Sequence, residues 1–154
     1  MGTSVSTGTA RPGGFAHNKM GFCGDAGVSG QKTYRAIGLM SGTSMDGVDA
    51  ALIESDGDGM VRRCGFLSTS YPDDFRVRLQ SVMGNVGDVA GVAFELTERH
   101  AEAVSALLAA EGVAGTEVDV IGFHGQTILH EPERRRTIQI GAPDMLVRMT
   151  GRPV

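Results

Sequence analysis

The fold of this chain is decided by the stretch GLMSGTSMDGVD, which occupies residues 38–49. An extended-type run ends in it at residues 33–40, and a second run, rich in Val, Ala, Leu and Ile, follows at residues 48–55. Glycines and short hydroxyl or carboxyl side chains join the two runs, which is the composition of a tight turn between strands. The sequence therefore predicts a strand, a polar turn and a second strand.

The turn is crowded with groups that can bind an anion. Gly42 and Gly47 allow backbone N–H groups to approach an oxyanion closely. Thr43 and Ser44 add hydroxyl donors, and Asp46 stands beside them. A carboxylate next to a phosphate is tolerated mainly when a cation such as Mg²⁺ lies between the two. This combination suggests a nucleotide site, although the same residues also make an ordinary hairpin turn, and the turn alone leaves both interpretations open.

Composition narrows the class of protein. The length of 154 residues fits about one domain, and 41% hydrophobic with 21% charged residues is typical of a globular chain. A net charge of −4 argues against a nucleic-acid binder, which needs a basic face. Apolar runs are too short for a membrane-spanning helix. Residues 1–32 are rich in Gly, Ser, Thr and Ala without periodicity, which predicts a disordered leader.

The middle of the chain predicts a meander followed by two helices. The turn DGDG at residues 56–59 precedes a third extended run at residues 61–70. Pro72 and the acids after it are typical of a helix start. From Asp88 to about residue 111, apolar residues recur at spacings of three and four, which predicts an amphipathic helix. His100 lies on its apolar stripe and is interpreted as a packed boundary residue without a chemical role.

A second candidate site follows the long helix. Residues 118–123 read as a buried strand, and a strand after such a helix suggests a crossover connection. His124, Gly125, Gln126 and Thr127 come directly after it. The carboxyl end of a strand is where open α/β sheets usually place ligands. The alternative is a loop whose His and Gln satisfy local backbone groups. Further along, residues 131–136 predict a charged turn, residues 137–140 an extended piece, and Pro143 the start of a last helix.

Three segments together resemble one known family. They are AIGLMSGTSMDGVDAALIESD at residues 36–56, IGFHGQTILHEP at residues 121–132 and TIQIGAPDMLVRMTGRPV at residues 137–154. In this order they closely resemble the N-terminal part of the anhydro-N-acetylmuramic acid kinase family, and the resemblance covers residues 35–154. It implies an α/β fold, namely the N-terminal lobe of an actin/hexokinase/Hsp70-like (ribonuclease H-like) kinase. In such a lobe an antiparallel three-strand meander is followed by helices and further strands.

The resemblance also implies an activity. Such an enzyme hydrolyses the 1,6-anhydro bond of anhydro-N-acetylmuramic acid while it transfers the γ-phosphate of ATP to O6. The product is N-acetylmuramic acid 6-phosphate, and the setting is peptidoglycan recycling in the cytoplasm. ATP, Mg²⁺ and the sugar are the implied ligands, with no nucleic-acid or membrane partner, and a homodimer of the full-length enzyme is left open.

Site residues are implied in two groups. The ATP-binding group is Gly42, Thr43, Ser44, Met45, Asp46, Gly47, Val48 and Asp49, with Asp46 as the candidate metal ligand, directly or through water. The sugar-binding group is His124, Gly125, Gln126 and Thr127. One departure stands out, because Met40 occupies the place where the wider superfamily carries an Asp in a G-x-D-x-G-T pattern.

The resemblance implies that the general base of the family is an Asp in a later segment. None of the catalytic residues is therefore expected within residues 33–154. We therefore expect a truncated N-terminal lobe that is inactive alone. Two alternatives stay open, a non-catalytic remnant of such a kinase and a related kinase that acts on another sugar.

Overall fold

The computed structural model describes residues 32–154, so the predicted leader lies outside the described residues except for Lys32. The strands are β1 (Tyr34–Met40), β2 (Gly47–Ser55), β3 (Val61–Ser70), β4 (Val120–Phe123), β5 (Gln126–Glu131) and β6 (Arg136–Ile140). The helices are α1 (Asp73–Ser81), α2 (Val89–Glu111) and α3 (Pro143–Thr150).

Four of the strands form one sheet in the order β3-β2-β1-β4. The pairs β1–β2 and β2–β3 are antiparallel, which confirms the predicted meander. β4 pairs parallel to β1, with Ile37 opposite Ile121, so α1 and α2 lie in the predicted crossover. Because β1 and β4 run in the same direction, their carboxyl ends meet at one edge. We call this edge the loop end of the sheet, since it also carries the turn between β1 and β2.

The long helix α2 covers one face of the sheet, where it contacts β2 and β3 and also packs against α3. The Asp88 side chain caps its start by accepting a hydrogen bond from Gly91 N at 3.0 Å. Gly112, at φ 66°, ends it in the left-handed conformation. Its fully buried apolar residues include Leu96, Ala103 and Leu107. Burial of each leucine stabilises the fold by about 2 kcal/mol. His100 is also fully buried, so it lies deeper than the packed boundary position that the sequence indicated.

One strand was not predicted. Residues 124–127 were expected to form a loop after the buried strand, but Gln126 begins β5, which pairs antiparallel with β6. The expectation of a loop is therefore wrong for Gln126 and Thr127. The reason is tertiary, because backbone pairing of Gln126 with Ile140 and of Thr127 with Gln139 makes these polar residues part of a strand.

The end of the sheet opposite the loop end is held by ion pairs. Glu54 is buried between Arg35 and Arg62, and Arg35 Nε lies 2.9 Å from Glu54 Oε1. Arg35 also pairs with Glu117. Burial alone would raise the pKa of the Glu54 carboxyl, but hydrogen bonds from Arg62 and Arg35 outweigh it and lower that pKa below 4.5. The carboxylate thus stays charged in the fold.

Candidate functional site

The turn between β1 and β2 has a defined shape. Met45 N donates a hydrogen bond to Gly42 O at 3.1 Å, which closes the turn. Met45 itself sits at φ 52°, a left-handed conformation that costs about 1 to 2 kcal/mol for a residue with a Cβ. The Arg76 side chain donates from Nε to Met45 O at 3.2 Å, and the Met45 side chain packs against the core. These contacts hold the turn against that cost.

The tip of the turn presents polar groups to solvent. Thr43, Ser44 and Asp46 are exposed. Ser44 Oγ donates to Asp46 Oδ1 at 2.7 Å. This hydrogen bond is the main reason that the pKa of Asp46 is lowered, and the charge of Arg76 lowers it further. The tip therefore carries two hydroxyls and one ionised carboxylate.

The residues after the tip return to the sheet. A Cβ on Gly47 would lie 2.2 Å from Thr69 O, so only glycine fits where β2 approaches β3. Tyr71 N donates to Asp46 O at 2.8 Å. The Val48 side chain is 1% exposed and belongs to the core, which leaves only its backbone for a ligand. Asp49 is exposed within β2, opposite Met40.

A buried hydrogen-bond network joins the two sequence motifs. Ser41 Oγ donates to Gln126 Oε1 at 2.5 Å, and Tyr71 OH donates to Ser41 Oγ at 2.9 Å. Gln126 Nε2 donates to Gly42 O and to Thr127 O, each at 3.3 Å. Ser41, Tyr71 and Gln126 are all buried. The structure thus brings the first motif and the second motif into direct contact inside the molecule.

His124 is the exposed member of the second motif. Its backbone N donates to Leu39 O at 3.4 Å, which places it at the loop end beside the first motif. Its ring Nδ1 lies 3.0 Å from Gly125 O, and Nε2 lies 3.1 Å from Gln139 Nε2. A proton on Nδ1 satisfies both contacts, because Nδ1–H then donates to the carbonyl and Nε2 accepts from the amide.

Gly125 makes the bend between β4 and β5. It adopts φ 67°, and a Cβ there would lie 2.3 Å from Ile140 O. Gly125 is buried, and Thr127 is half-buried. The four predicted sugar-site residues are therefore adjacent in sequence but differ in access, since His124 faces solvent and Gln126 does not.

The turn offers a metal ion one carboxylate, that of Asp46. Within residues 32–154 no group of three His, Cys, Asp or Glu side chains could hold a metal ion. Asp46 alone still fits Mg²⁺ in the presence of a nucleotide, because that ion usually takes one or two carboxylates together with phosphate oxygens and water.

Sequence reasoning missed Tyr71 and Arg76 as parts of this site. Tyr71 follows β3 and reaches Ser41 because the meander returns the chain to the loop end. Arg76 lies in the first turn of α1, close enough to the loop end for its side chain to reach Met45 O. A basic residue near an anion-binding turn is a signal for a role in the site. Nothing in the sequence spacing, however, connects residue 76 with residue 45.

Known proteins match most of the chain. A model of the family described as anhydro-N-acetylmuramic acid kinase matches residues 34–154. The relative from Rhizobium etli is 48% identical over 126 residues, which cover 75% of this chain and 34% of the relative. The relative from Brucella canis is 45% identical over 130 residues, covering 78% and 35%. The relative from Paramagnetospirillum magneticum is 47% identical over 119 residues, covering 77% and 34%. All three are named anhydro-N-acetylmuramic acid kinase.

The fold and the matched family define the class, which is that of proteins with the actin/hexokinase-like α/β fold. More narrowly, the chain belongs to the anhydro-N-acetylmuramic acid kinase family. It spans about a third of the length of the curated relatives it matches. In the part of the chain that the structure describes, no helix is long and apolar enough to cross a membrane.

Proposed function

We propose that this chain is the N-terminal lobe of an ATP-dependent anhydro-N-acetylmuramic acid kinase. The reaction consumes one water, which opens the 1,6-anhydro ring, and moves the γ-phosphate of ATP to O6. It yields ADP and N-acetylmuramic acid 6-phosphate. The setting that we propose is peptidoglycan recycling in the cytoplasm, and a homodimer of the complete enzyme stays a prediction.

The observation that carries the proposal is the exposed tip of the turn at the loop end. Thr43 offers a hydroxyl donor, the Ser44 hydroxyl donates to Asp46, and the ionised Asp46 carboxylate lies at the same surface. Phosphate oxygens accept hydrogen bonds from such hydroxyls, and Mg²⁺ neutralises the charge between phosphate and carboxylate. We assign Gly42, Thr43, Ser44 and Asp46 to the ATP phosphates and their metal. Met45, Gly47, Val48 and Asp49 shape the turn or contribute through their backbone.

The sugar is assigned to the neighbouring part of the loop end. His124 is exposed and lies beside the end of β1, within the same edge as the turn. The exposed Gln139 side chain, which donates to His124 Nε2, is therefore a suitable hydrogen-bonding partner for a sugar hydroxyl or for the acetamido group. Phosphoryl transfer depends on positioning and on charge stabilisation around the phosphate. We assign the general base to the part of the longer relatives that this chain does not span.

The test is an acceptor panel with the complete product of the gene that carries this chain. ATP is supplied with anhydro-N-acetylmuramic acid, ordinary N-acetylmuramic acid or common hexoses, and the products are identified by mass spectrometry. We expect the anhydro sugar to gain one phosphate and one water. Phosphorylation of hexoses with none of the anhydro sugar would instead assign the chain to a related kinase.

A second arm uses the 154-residue chain alone. We expect no turnover above background, because the general base is assigned elsewhere. Turnover by this chain would overturn that assignment without touching the identity of the substrate.

A further inference from the structure

We infer that Gln126, together with Ser41 and Tyr71, positions the nucleotide-binding turn and does not contact the sugar. The inference rests on the proposed function of that turn. It changes the role expected for Gln126, which the resemblance placed in the sugar-binding group.

The hydrogen-bonding capacity of Gln126 is directed into the protein. Its side chain is fully buried. Both hydrogens of Nε2 are used, one toward Gly42 O and one toward Thr127 O, and Oε1 accepts from Ser41 Oγ. No donor is left for a sugar hydroxyl. His124, two residues earlier, is exposed and keeps its access to a ligand.

The contact with Gly42 falls on the atom that defines the turn. Gly42 O accepts from Met45 N, which closes the turn, and also from Gln126 Nε2. A carbonyl oxygen has two lone pairs, so these two donors fill it. Gln126 therefore fixes the orientation of the Gly42 peptide. The same peptide group carries the N–H of Thr43, at the start of the exposed tip.

Ser41 links Gln126 to Tyr71, the residue that follows β3. Its hydroxyl donates to Gln126 and accepts from Tyr71 OH at 2.9 Å. Burial of Tyr71 raises the pKa of its hydroxyl to about 12, so the phenol remains a donor at any ordinary pH. The chain of donors runs from Tyr71 through Ser41 to Gln126 and ends on Gly42. Each member lies under the turn, on its protein side.

The position of Gln126 is itself fixed by the bend before it. Gly125 can adopt its conformation only without a Cβ, since Ile140 O lies 2.3 Å from where that atom would be. Gln126 then pairs with Ile140 across the β5–β6 ladder. The side chain is thus held by strand geometry, which suits a positioning residue.

The test compares two variants of the complete gene product, Gln126→Leu and Tyr71→Phe, by steady-state kinetics. Gln126→Leu removes three hydrogen bonds. We expect KM for ATP to rise about tenfold or more, because Gly42 O keeps only the donor Met45 N and the buried Ser41 hydroxyl loses its acceptor. Tyr71→Phe removes one hydroxyl, and we expect a rise of about threefold. KM for the sugar should stay within a factor of two in both variants. Gln80→Leu on the exposed side of α1 and Tyr34→Phe at the start of β1 are the matched controls.

Three outcomes overturn the inference. They are a raised KM for the sugar with an unchanged KM for ATP, unchanged kinetic constants in both variants, or a loss of activity with both KM values unchanged. If Gln126→Leu does not fold, as judged by thermal unfolding, Tyr71→Phe decides, because deletion of one hydroxyl preserves the side-chain shape.

A separate measurement distinguishes failure of the positioning role from failure of the proposed function. ATP binding is measured by calorimetry in the absence of any sugar. A weaker ATP affinity in both variants supports the positioning role even if the acceptor proves to be another sugar. An unchanged ATP affinity overturns the positioning role even if the anhydro sugar is phosphorylated by the unaltered protein.

Discussion

The two ends of the four-stranded sheet are held together by different chemistry. At the loop end, neutral groups make the buried contacts, as Tyr71, Ser41 and Gln126 do beneath the turn. At the opposite end, charged groups pair with one another, as Arg35 does with Glu54 and Glu117. The charges at the loop end, such as Asp46, are at the surface instead.

This difference shows how one end of a sheet can be stabilised by its own contacts while the other end keeps polar groups available to bind a ligand. Ion pairs at the opposite end satisfy their own charges, so that end needs no ligand. The buried neutral hydrogen bonds at the loop end fix the backbone and leave the Thr43 hydroxyl and the Asp46 carboxylate at the surface. Such an edge can stabilise the charge of a phosphate while the buried hydrogen bonds that hold the turn stay intact.

The largest expected effect comes from filling the bend at the loop end. Gly125→Ala places a Cβ 2.3 Å from Ile140 O at a positive φ, so we expect a loss of about 4 kcal/mol in the free energy of unfolding. Gly57→Ala is the matched control at the opposite end, because Gly57 also has a positive φ but no atom lies within 4 Å of its Cβ position. Its expected loss is about 1 kcal/mol. Denaturant unfolding measures both, and equal losses would remove the distinction between the two ends.

Breaking the ion pairs at the opposite end should be nearly as costly. Glu54→Gln leaves Arg35 and Arg62 without their shared buried carboxylate, and we expect a loss of about 3 kcal/mol at neutral pH. Glu98→Gln on the exposed side of α2 should change stability by less than about 0.5 kcal/mol. Because the pKa of Glu54 is lowered, its contribution is present above pH 4.5 and is lost as pH falls below that value. The variant should therefore show a flatter acid dependence, with KM for ATP unchanged.

Removing the exposed charge at the loop end should affect activity and not stability. Asp46→Asn in the complete enzyme is expected to lower kcat/KM about a hundredfold, if the carboxylate organises the metal and nucleotide. Asp58→Asn, in the exposed turn between β2 and β3, is the control and should leave kinetics unchanged. Normal kinetics in Asp46→Asn would return Asp46 to the status of a turn residue.

The smallest effect at neutral pH concerns the phenol beneath the turn. In a Tyr34→Phe background Tyr71 is the remaining tyrosine of the 154-residue chain, and its tyrosinate absorbance should appear at a pKa of about 12. Since the pKa is raised from 10.0, the stability contribution of this group is complete below pH 10 and is lost as pH rises toward 12. A midpoint at 10 would mean that the hydroxyl is exposed to water.

Local patterns predicted most of the sheet and α2. Alternating and buried apolar runs located the meander, and the spacing of Leu96, Val104 and Leu107 located the helix. The start of β5 was missed because Gln126 has no strand-like character by itself and becomes strand by pairing with Ile140. The two motifs were each recognised, but their mutual contact was not. That contact depends on the parallel pairing of β4 with β1, which composition does not specify.

Met45 has a further consequence for the rate of ligand capture. Its left-handed backbone, closed by Gly42 O and supported by Arg76, is already present in the folded chain. The entropy of ordering the turn is thus lost during folding and not during ligand association. Nucleotide association should accordingly proceed in a single kinetic phase, with a rate that rises in proportion to nucleotide concentration and shows no plateau from a slow rearrangement of the turn.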